Sequence, residues 1–225
     1  MLNNRICNGV LIATCLSTLV RWIKYVLMLQ ITIAVIAIIL GFFEYQLLTS
    51  YQQGDYISLE AAFADGEGVI SLLQITGFAS LLAFIASAIL IIQWIYRANA
   101  NVRQLGALNM HYTPAWSVGY YFIPIFNLWK PYLAMKEIFK ASIAPSDWTD
   151  AKTTYILPLW WTLWIASNLL NQSIFRLSAQ VIELPELMTL NMLSQISNAL
   201  DIPLALVTLA LIKTISELQR VVNTN

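Results

Sequence analysis

Four long apolar segments constrain the fold of this chain more than any other feature. The first, Tyr25 to Leu47, contains a single charged residue, Glu44. As a helix it would rise about 35 Å, enough to cross a hydrocarbon core of about 30 Å. The other three segments are Val69 to Ile95, Tyr155 to Phe175 and Gln195 to Ile212. We therefore predict an all-α integral membrane protein with four transmembrane helices in two hairpins.

The composition agrees with a membrane protein and argues against several other classes. Of the 225 residues, 59% are hydrophobic and only 11% are charged, whereas a soluble domain usually carries about 25% charged residues. The formal net charge is zero, which argues against a nucleic-acid partner. One histidine and two cysteines are too few for a His/Cys metal site or a disulfide framework, so we predict no bound metal or cofactor.

The basic residues predict the orientation of the spans. Of the 12 lysines and arginines, only Arg176 falls on the outer side if both termini are cytoplasmic, and cytoplasmic loops are the ones enriched in such residues. This arrangement divides the chain into five segments. They are an N-terminal cytoplasmic or interfacial segment (1–24), a first hairpin with an acidic outer loop (25–95), a cytoplasmic layer (96–154), a second hairpin (155–212) and a cytoplasmic tail (213–225).

Two segments outside the spans allow alternative interpretations. The N-terminal segment lacks a small-residue cleavage site, so we favour a surface helix over a signal peptide or a lipoprotein box before Cys15. Cys7 and Cys15 would lie roughly 12 Å apart along a helix, too far for a disulfide. The loop from Thr49 to Gly68 is acidic but lacks the ligand spacing of an EF-hand, so we interpret it as a solvated outer loop rather than a calcium site.

The segment 96–154 is predicted to lie at the cytoplasmic membrane surface. Trp94, just before it, falls where an aromatic belt marks the inner interface. Pro131 predicts the start of a helix that continues over Tyr132 to Ile143. The charged residues of this helix share one arc: Lys136, Glu137 and Lys140. A helix with one apolar and one charged face is typical of a helix lying in the interface plane.

The residues between Thr113 and Trp129 leave two alternatives open. Thr113 and Pro114 predict a helix start, since a hydroxyl cap and a proline in the first turn are both favoured there. The apolar run from Trp116 is interrupted by Pro124. A fifth span would need about 20 residues and would move the following lysines to the outer side. We therefore favour a re-entrant or interfacial helical segment.

Several residues of the central segment and the third span form a pattern of fixed order and spacing. They are Trp94-Ile95-Tyr96-Arg97 with Asn99, Leu105-Gly106-Ala107, Thr113-Pro114, Trp116, Val118-Gly119, Phe122-Ile123-Pro124-Ile125, Asn127-Leu128, Trp160-Trp161, Trp164 and Ser167-Asn168. This pattern resembles the bacterial membrane family called domain of unknown function 4328, except that Ala115 stands where its members often have glycine. The resemblance covers about Val69 to the final span. It implies a multi-pass bacterial inner-membrane protein and no particular activity.

The second hairpin carries polar residues near the middle of the bilayer. Antiparallel helices would bring four of them to a similar depth: Asn168, Asn171, Asn198 and Asp201. A carboxylate at that depth costs on the order of 3 kcal/mol, so Asp201 needs polar partners or water. One hypothesis is a small cavity that binds a cation or a polar group. The other is a set of interhelical hydrogen bonds worth about 0.6 kcal/mol each.

A second candidate is a polar and basic surface on the cytoplasmic side. Its residues are Arg97, Asn99, Asn101, Arg103, Lys136 and Lys140. Such a surface can bind anionic lipid head groups or a protein partner, or it can simply follow the charge rule for topology. His111, beside Tyr112, is interpreted as structural rather than as a proton relay.

The chain lacks the common sequence motifs of enzymes, such as HExxH, GxSxG or a glycine-rich phosphate loop. Asp201 also has no acidic counterpart on another span. We therefore predict a non-enzymatic interaction protein that docks membrane lipid or a protein partner through its cytoplasmic layer, in a homo-oligomer or with another membrane protein. The alternative is a small transporter or channel that uses a polar cavity around Asp201.

Overall fold

The structure, a computed structural model, describes residues 9–179 and 183–222, with side chains from Leu16 onward. All regular elements of the described residues are helices. Four are long: α1 (Gly9–Gln53), α3 (Glu67–Gln104), α6 (Ile156–Ser178) and α7 (Leu184–Val222). Three are short: α2 (Leu59–Asp65), α4 (Pro114–Gly119) and α5 (Lys130–Ile143). The all-α fold class is therefore confirmed.

Three of the long helices, α1, α3 and α7, are long and apolar enough to cross a membrane. Helix α6 has 23 residues, a rise of about 35 Å, but its tryptophan, asparagine and glutamine side chains interrupt the apolar stretch that would place it in this set. The structure thus supports a membrane protein with three helices of spanning length and composition. The fourth span and the orientation stay predictions.

The helices extend beyond the predicted spans. Helix α7 begins at Leu184 and ends at Val222, so most of the predicted loop after Arg176 and most of the predicted tail 213–225 are helical. Hydropathy marks where a helix meets hydrocarbon, whereas its ends depend on capping. At the end of α3, Gly106 has a φ of 104° and the Ala107 N–H donates to the Val102 carbonyl at 3.0 Å, as in a glycine-capped C-terminus.

The predicted outer loop from Thr49 to Gly68 contains a short helix. Helix α1 ends at Gln53, and α2 begins after Ser58, whose Oγ accepts the N–H of Ala61 at 3.1 Å. Among the described residues, no three His, Cys, Asp or Glu side chains are grouped so that they could hold a metal ion. Cys7 lies outside the described residues, and so does the side chain of Cys15.

The chain divides into two compact units. The first comprises the described residues of 1–26, 86–161 and 207–225. Helix α5 lies in its core, with eight of its residues buried: Pro131, Ala134, Met135, Glu137, Ile138, Phe139, Ala141 and Ser142. The interfacial location of α5 stays a prediction, but most of its apolar face packs against protein. An amphipathic pattern shows that one face needs an apolar neighbour, and here that neighbour is protein.

The second unit comprises residues 27–85 and the described part of 162–206. Hydrogen bonds join α6 to α7 from Ser167 to Asp201 and from Ser197 to Asn171, a pairing that requires antiparallel helices, as predicted for the second hairpin. Many large apolar side chains of this unit are exposed: Ile39, Phe42, Phe43, Leu72, Ile75, Phe78, Leu81 and Phe84. Side chains of this kind on long helices suit a hydrocarbon solvent.

Candidate functional site

Residues 113–129 form a short irregular segment that we call the aromatic loop. It begins as predicted, because the Thr113 hydroxyl accepts the Trp116 N–H at 3.3 Å and Pro114 opens α4. Helix α4 has only six residues, and two 3-10 turns follow, Tyr120–Phe122 and Phe126–Leu128. A spanning structure needs continuous helical hydrogen bonding, so the aromatic loop does not form a fifth span.

The turn at the end of the apolar run has a strained backbone. Ile125 has a φ of 71° and a ψ of −56°, and the Phe126 N–H donates to the Pro124 carbonyl at 2.8 Å. This geometry is that of a γ-turn with positive φ, which is rare, and a β-branched residue in that region is a genuine outlier. Strain of this type costs about 1–3 kcal/mol and is concentrated at functional sites.

The aromatic loop exposes an unusual amount of apolar surface. Phe122 is 70% exposed and Ile125 is 69% exposed, on either side of Pro124. Four further large side chains of this loop are also exposed: Trp116, Phe126, Leu128 and Trp129. Contiguous apolar surface of this kind marks an interaction site rather than an ordinary loop.

Ring contacts hold the exposed aromatic side chains together. The Tyr120 ring lies 5.1 Å from the Trp116 ring and 6.0 Å from the Phe126 ring, and Phe126 lies 5.6 Å from Trp129. The Lys130 Nζ lies 5.8 Å from the centre of the Tyr120 ring, within the range of a cation–π interaction. A cation therefore sits at the edge of the apolar surface.

A buried polar framework on α3 holds the beginning of the loop. The Asn99 Nδ2 donates to the Ser117 Oγ at 2.7 Å and to the Tyr112 carbonyl at 2.9 Å. The Arg103 Nη2 donates to the same carbonyl at 2.8 Å, and its Nε donates to the Asn99 Oδ1 at 3.0 Å. Asn99 and Ser117 are fully buried, so the hydrogen bond between them is shielded from water, and together the four bonds fix the backbone before α4.

Glu137 on α5 holds the same segment from another direction. Its carboxylate accepts the backbone N–H groups of His111 at 2.6 Å and Tyr112 at 3.0 Å, and lies 3.1 Å from the His111 Nδ1. Glu137 is only 4% exposed, whereas the His111 side chain is 78% exposed. Glu137 shares an arc of α5 with two lysines, as predicted, but it is buried and its charge is satisfied by backbone donors.

Two tryptophans attach the flanks of the segment. The Trp148 Nε1 donates to the Leu108 carbonyl at 2.9 Å, and the Trp161 Nε1 donates to the Leu128 carbonyl at 3.0 Å. Both hydrogen bonds reach across more than thirty positions of the sequence. The loop is therefore preorganised at both ends by side chains from outside it.

Helix α7 joins the framework through Gln219. This side chain is fully buried. Its Oε1 accepts a hydrogen bond from the Asn101 Nδ2 at 2.8 Å, and its Nε2 donates to the Ser142 Oγ at 2.9 Å. Nearby, the Trp94 Nε1 donates to the Ser216 Oγ at 3.0 Å. Trp94 was predicted to mark the membrane interface, and in the structure it is fully buried instead.

The predicted lipid or partner surface is only partly at the surface. Asn99 is buried and Arg103 is bonded inside the framework, so these two residues position the loop. Arg97 is exposed, Lys136 is half-buried, and the Lys140 Nζ donates to the Thr149 carbonyl at 2.7 Å. The structure therefore does not bring the six residues together on one face, and the surface hypothesis retains Arg97 and the lysines.

The predicted intramembrane cluster is reorganised around a serine. The Ser167 Oγ donates to the Asp201 Oδ1 at 2.8 Å, and the Asn171 Nδ2 donates to the Ser167 Oγ at 3.3 Å. Asn168 is exposed and donates to the Trp164 carbonyl of its own helix at 2.7 Å. Asn198 lies half-buried on α7, outside these bonds. Asn171 and Asp201 therefore come together as predicted, whereas Asn168 does not join them.

A second polar contact, between α1 and α7, was not predicted. The Asn191 Nδ2 donates to the Glu44 Oε2 at 2.6 Å and to the Gly41 carbonyl at 2.9 Å. The Gln195 Nε2 donates to the Asn191 Oδ1 at 2.6 Å. Glu44 is the other carboxylate within a predicted span, and its hydrogen-bond partner is the Asn191 amide rather than a group near Asp201. These bonds suit helix association in lipid.

The remaining motif residues are structural. Pro131 opens α5 in its first turn, as predicted, and it is buried. Asn127 lies half-buried in the second 3-10 turn, where its N–H donates to the Ile123 carbonyl at 3.0 Å. Pro124 provides the carbonyl of the strained turn.

Comparison with known proteins gives one finding. Residues 61–217 match the family model described as domain of unknown function (DUF4328), in agreement with the resemblance in the sequence. No curated protein and no solved structure matches the chain.

Proposed function

The chain belongs to the DUF4328 family, and from this premise we propose that it is a four-span inner-membrane protein whose aromatic loop docks on the cytoplasmic leaflet. In this proposal both termini are cytoplasmic, and α6 is the additional span beside α1, α3 and α7. The role is non-enzymatic. The loop binds membrane lipid and so fixes the cytoplasmic end of the helical bundle, in a homo-oligomer or beside another membrane protein.

One observation carries the proposal. The aromatic loop exposes six large apolar side chains on a backbone that is held by buried hydrogen bonds and strained at Ile125. A rigid apolar surface of this kind would be unfavourable in water. At a membrane interface it is stabilised, because aromatic rings favour the head-group region and the adjacent Lys130 attracts anionic lipids.

The location of the loop also supports the bilayer as its partner. The aromatic loop follows the end of α3 by about ten residues in the sequence, and α3 is one of the helices with a span's length and composition. The lysines and arginines predict that this end of α3 is cytoplasmic. Because the loop is attached to this end of α3, it stays close to the cytoplasmic leaflet.

A second candidate function is a small transporter or channel around Asp201. It is supported by the presence of a carboxylate in an apolar helix, which is costly in lipid. The hydrogen bonds of Asp201 with Ser167, and of Asn171 with Ser197, favour helix packing instead. We therefore assign this cluster to the assembly of α6 and α7.

Thiol labelling tests the proposed orientation. In a background in which Cys7 and Cys15 are serine, single cysteines at Gln52 and Ser146, both exposed, are treated with a membrane-impermeant maleimide. We expect labelling of position 52 in intact cells, and of position 146 only after permeabilisation. Labelling of position 146 from outside intact cells would overturn the cytoplasmic location of the layer.

A further inference from the structure

A pocket of about 150 Å3 lies between three long helices within the first unit. Its volume is several times the roughly 30 Å3 that a water molecule occupies in the liquid, so it has room for a small polar group. Helix α1 lines it on one side and α3 on another, and α7 supplies the charged side chains. The lining residues that matter here are Leu16, Val20, Asn101, Lys213, Ser216 and Glu217.

Two charged side chains of the pocket have no partner among the described residues. Lys213 and Glu217 are both exposed, and neither forms an ion pair or a hydrogen bond there. They are four residues apart, so they lie on one face of α7 with their Cβ atoms about 5–6 Å apart. With the basic residue first, this spacing gives the weaker of the two possible pairs. Arg220 also borders the pocket, but it already has an interaction, and no part of the site is assigned to it.

The other walls add a hydroxyl group and apolar surface. The Ser216 Oγ accepts the Trp94 Nε1 at 3.0 Å, and within the described part of the chain its own O–H has no acceptor. Leu16 is buried and Val20 is half-buried on α1. The pocket therefore presents a cation, an anion and a hydroxyl donor beside an apolar wall.

We propose that this pocket binds the zwitterionic head group of phosphatidylethanolamine, in which two carbons join a phosphate to a primary ammonium. The Lys213 ammonium and the Ser216 hydroxyl donate to the phosphate, and the Glu217 carboxylate accepts the lipid's ammonium. Hydrogen bonds between charged groups are the stronger kind. The two-carbon link keeps the two charges of the lipid about as far apart as residues four positions apart on a helix.

The order of the charges along α7 matches their order in the lipid. The predicted fourth span ends at Ile212, directly before Lys213, and Glu217 follows about 6 Å further along the helix axis. In phosphatidylethanolamine the phosphate is attached to the glycerol that carries the acyl chains, and the ammonium is at the outer end. The choice of the cytoplasmic leaflet rests on the proposed function, because its orientation places this end of α7 in the cytoplasm.

The charges of the pocket distinguish this head group from those of other phospholipids. Phosphatidylglycerol has no cation to place beside Glu217. Phosphatidylcholine has a cation, but its quaternary ammonium carries no N–H group, whereas a primary ammonium has three donors. Soluble phosphoethanolamine has the same charges as the lipid head group, but no apolar part that could contact Leu16 and Val20.

Lipid retention by the detergent-solubilised full chain tests the site. Native mass spectrometry would compare phosphatidylethanolamine, phosphatidylglycerol and phosphatidylcholine with identical acyl chains. We expect the wild type to retain phosphatidylethanolamine most strongly, and Lys213→Gln to lower that affinity about fivefold, the effect of one cation near a lipid phosphate. Glu217→Gln should remove the preference over phosphatidylglycerol, because the amide is neutral. Lys152→Gln and Asp150→Asn, at exposed positions outside the pocket, are the matched controls and should retain lipid as the wild type does.

Exchange of the two charges tests their assignment. The double variant Lys213→Glu with Glu217→Lys keeps the net charge but reverses the order along α7, so it should lose the preference for phosphatidylethanolamine. A preference kept by this variant would overturn the proposal. Equal retention of the three lipids by the wild type, or displacement of the lipid by an equal concentration of soluble phosphoethanolamine, would also overturn it.

Retention in detergent does not depend on which side of a membrane the pocket faces. Its failure would therefore remove the head-group site and leave the docking of the aromatic loop standing. Failure of the aromatic loop to enter the bilayer would instead remove the proposed function, while lipid retention in detergent would still support the head-group site.

Discussion

Replacing Glu137 with alanine will release the segment before the aromatic loop. The substitution leaves the N–H groups of His111 and Tyr112 without their buried acceptor, and hydrogen bonds to a charged group contribute about 1.5–3 kcal/mol each. We expect the free energy of unfolding in detergent to fall by about 3 kcal/mol. Hydrogen exchange read by mass spectrometry should show faster exchange over residues 108–117.

Lys136→Ala is the matched control for Glu137→Ala. Lys136 is the preceding residue of α5 and is half-buried, whereas Glu137 is buried. We expect the control to keep wild-type exchange over residues 108–117. Glu137→Gln should lie between the two, because the amide oxygen can still accept one backbone N–H. If Glu137→Ala leaves both stability and exchange unchanged, the carboxylate does not hold the segment.

Replacing Trp94 with alanine is expected to have an equally large effect on stability. Trp94 is fully buried in the first unit, and its Nε1 donates to the Ser216 Oγ of α7. Removing a buried tryptophan side chain costs about 3–5 kcal/mol, because the surrounding structure fills the cavity only partly. Chemical denaturation in micelles should show this loss.

Trp116→Ala provides the comparison for a tryptophan in the aromatic loop. Trp116 is 51% exposed, so in detergent its removal should change the free energy of unfolding much less than Trp94→Ala does. Equal destabilisation by the two substitutions would mean that Trp116 is part of a protein core rather than a contact for lipid.

The features that the sequence predicted well are those set by local chemistry. Thr113 and Pro114 start a helix because a hydroxyl cap and a proline act on their own turn. Pro131 starts α5 for the same reason. The long apolar helices are evident because their hydropathy extends over many residues, even though hydropathy does not mark their ends.

The features that could not be predicted depend on partners that are distant in the sequence. The burial of Glu137 could not be predicted, because its charged neighbours on α5 are lysines and its partners are backbone groups 25 and 26 positions away. The partner of Glu44, Asn191, lies 147 positions away. The amphipathic pattern of α5 indicated that one face contacts apolar material. It could not show whether that material is protein or lipid.

Nothing in the sequence distinguishes Ser167 from the other serine and threonine residues of the spans. Such residues usually bond to the carbonyl four positions earlier in their own helix, as Ser173 does with Leu169. Ser167 instead donates to Asp201 on α7. The carboxylate was visible in the sequence, but the donor that satisfies it was not.

The depth of the aromatic loop in a bilayer tests the central claim most directly. A spin label on Phe122→Cys, in the background without Cys7 and Cys15, is compared with a label on Ser146→Cys in liposomes that contain anionic lipid. The account predicts that oxygen reaches the label at position 122 better than a water-soluble nickel chelate does, and that the order is reversed at position 146. Greater access of the nickel chelate at both positions would contradict the docking of the loop in the leaflet.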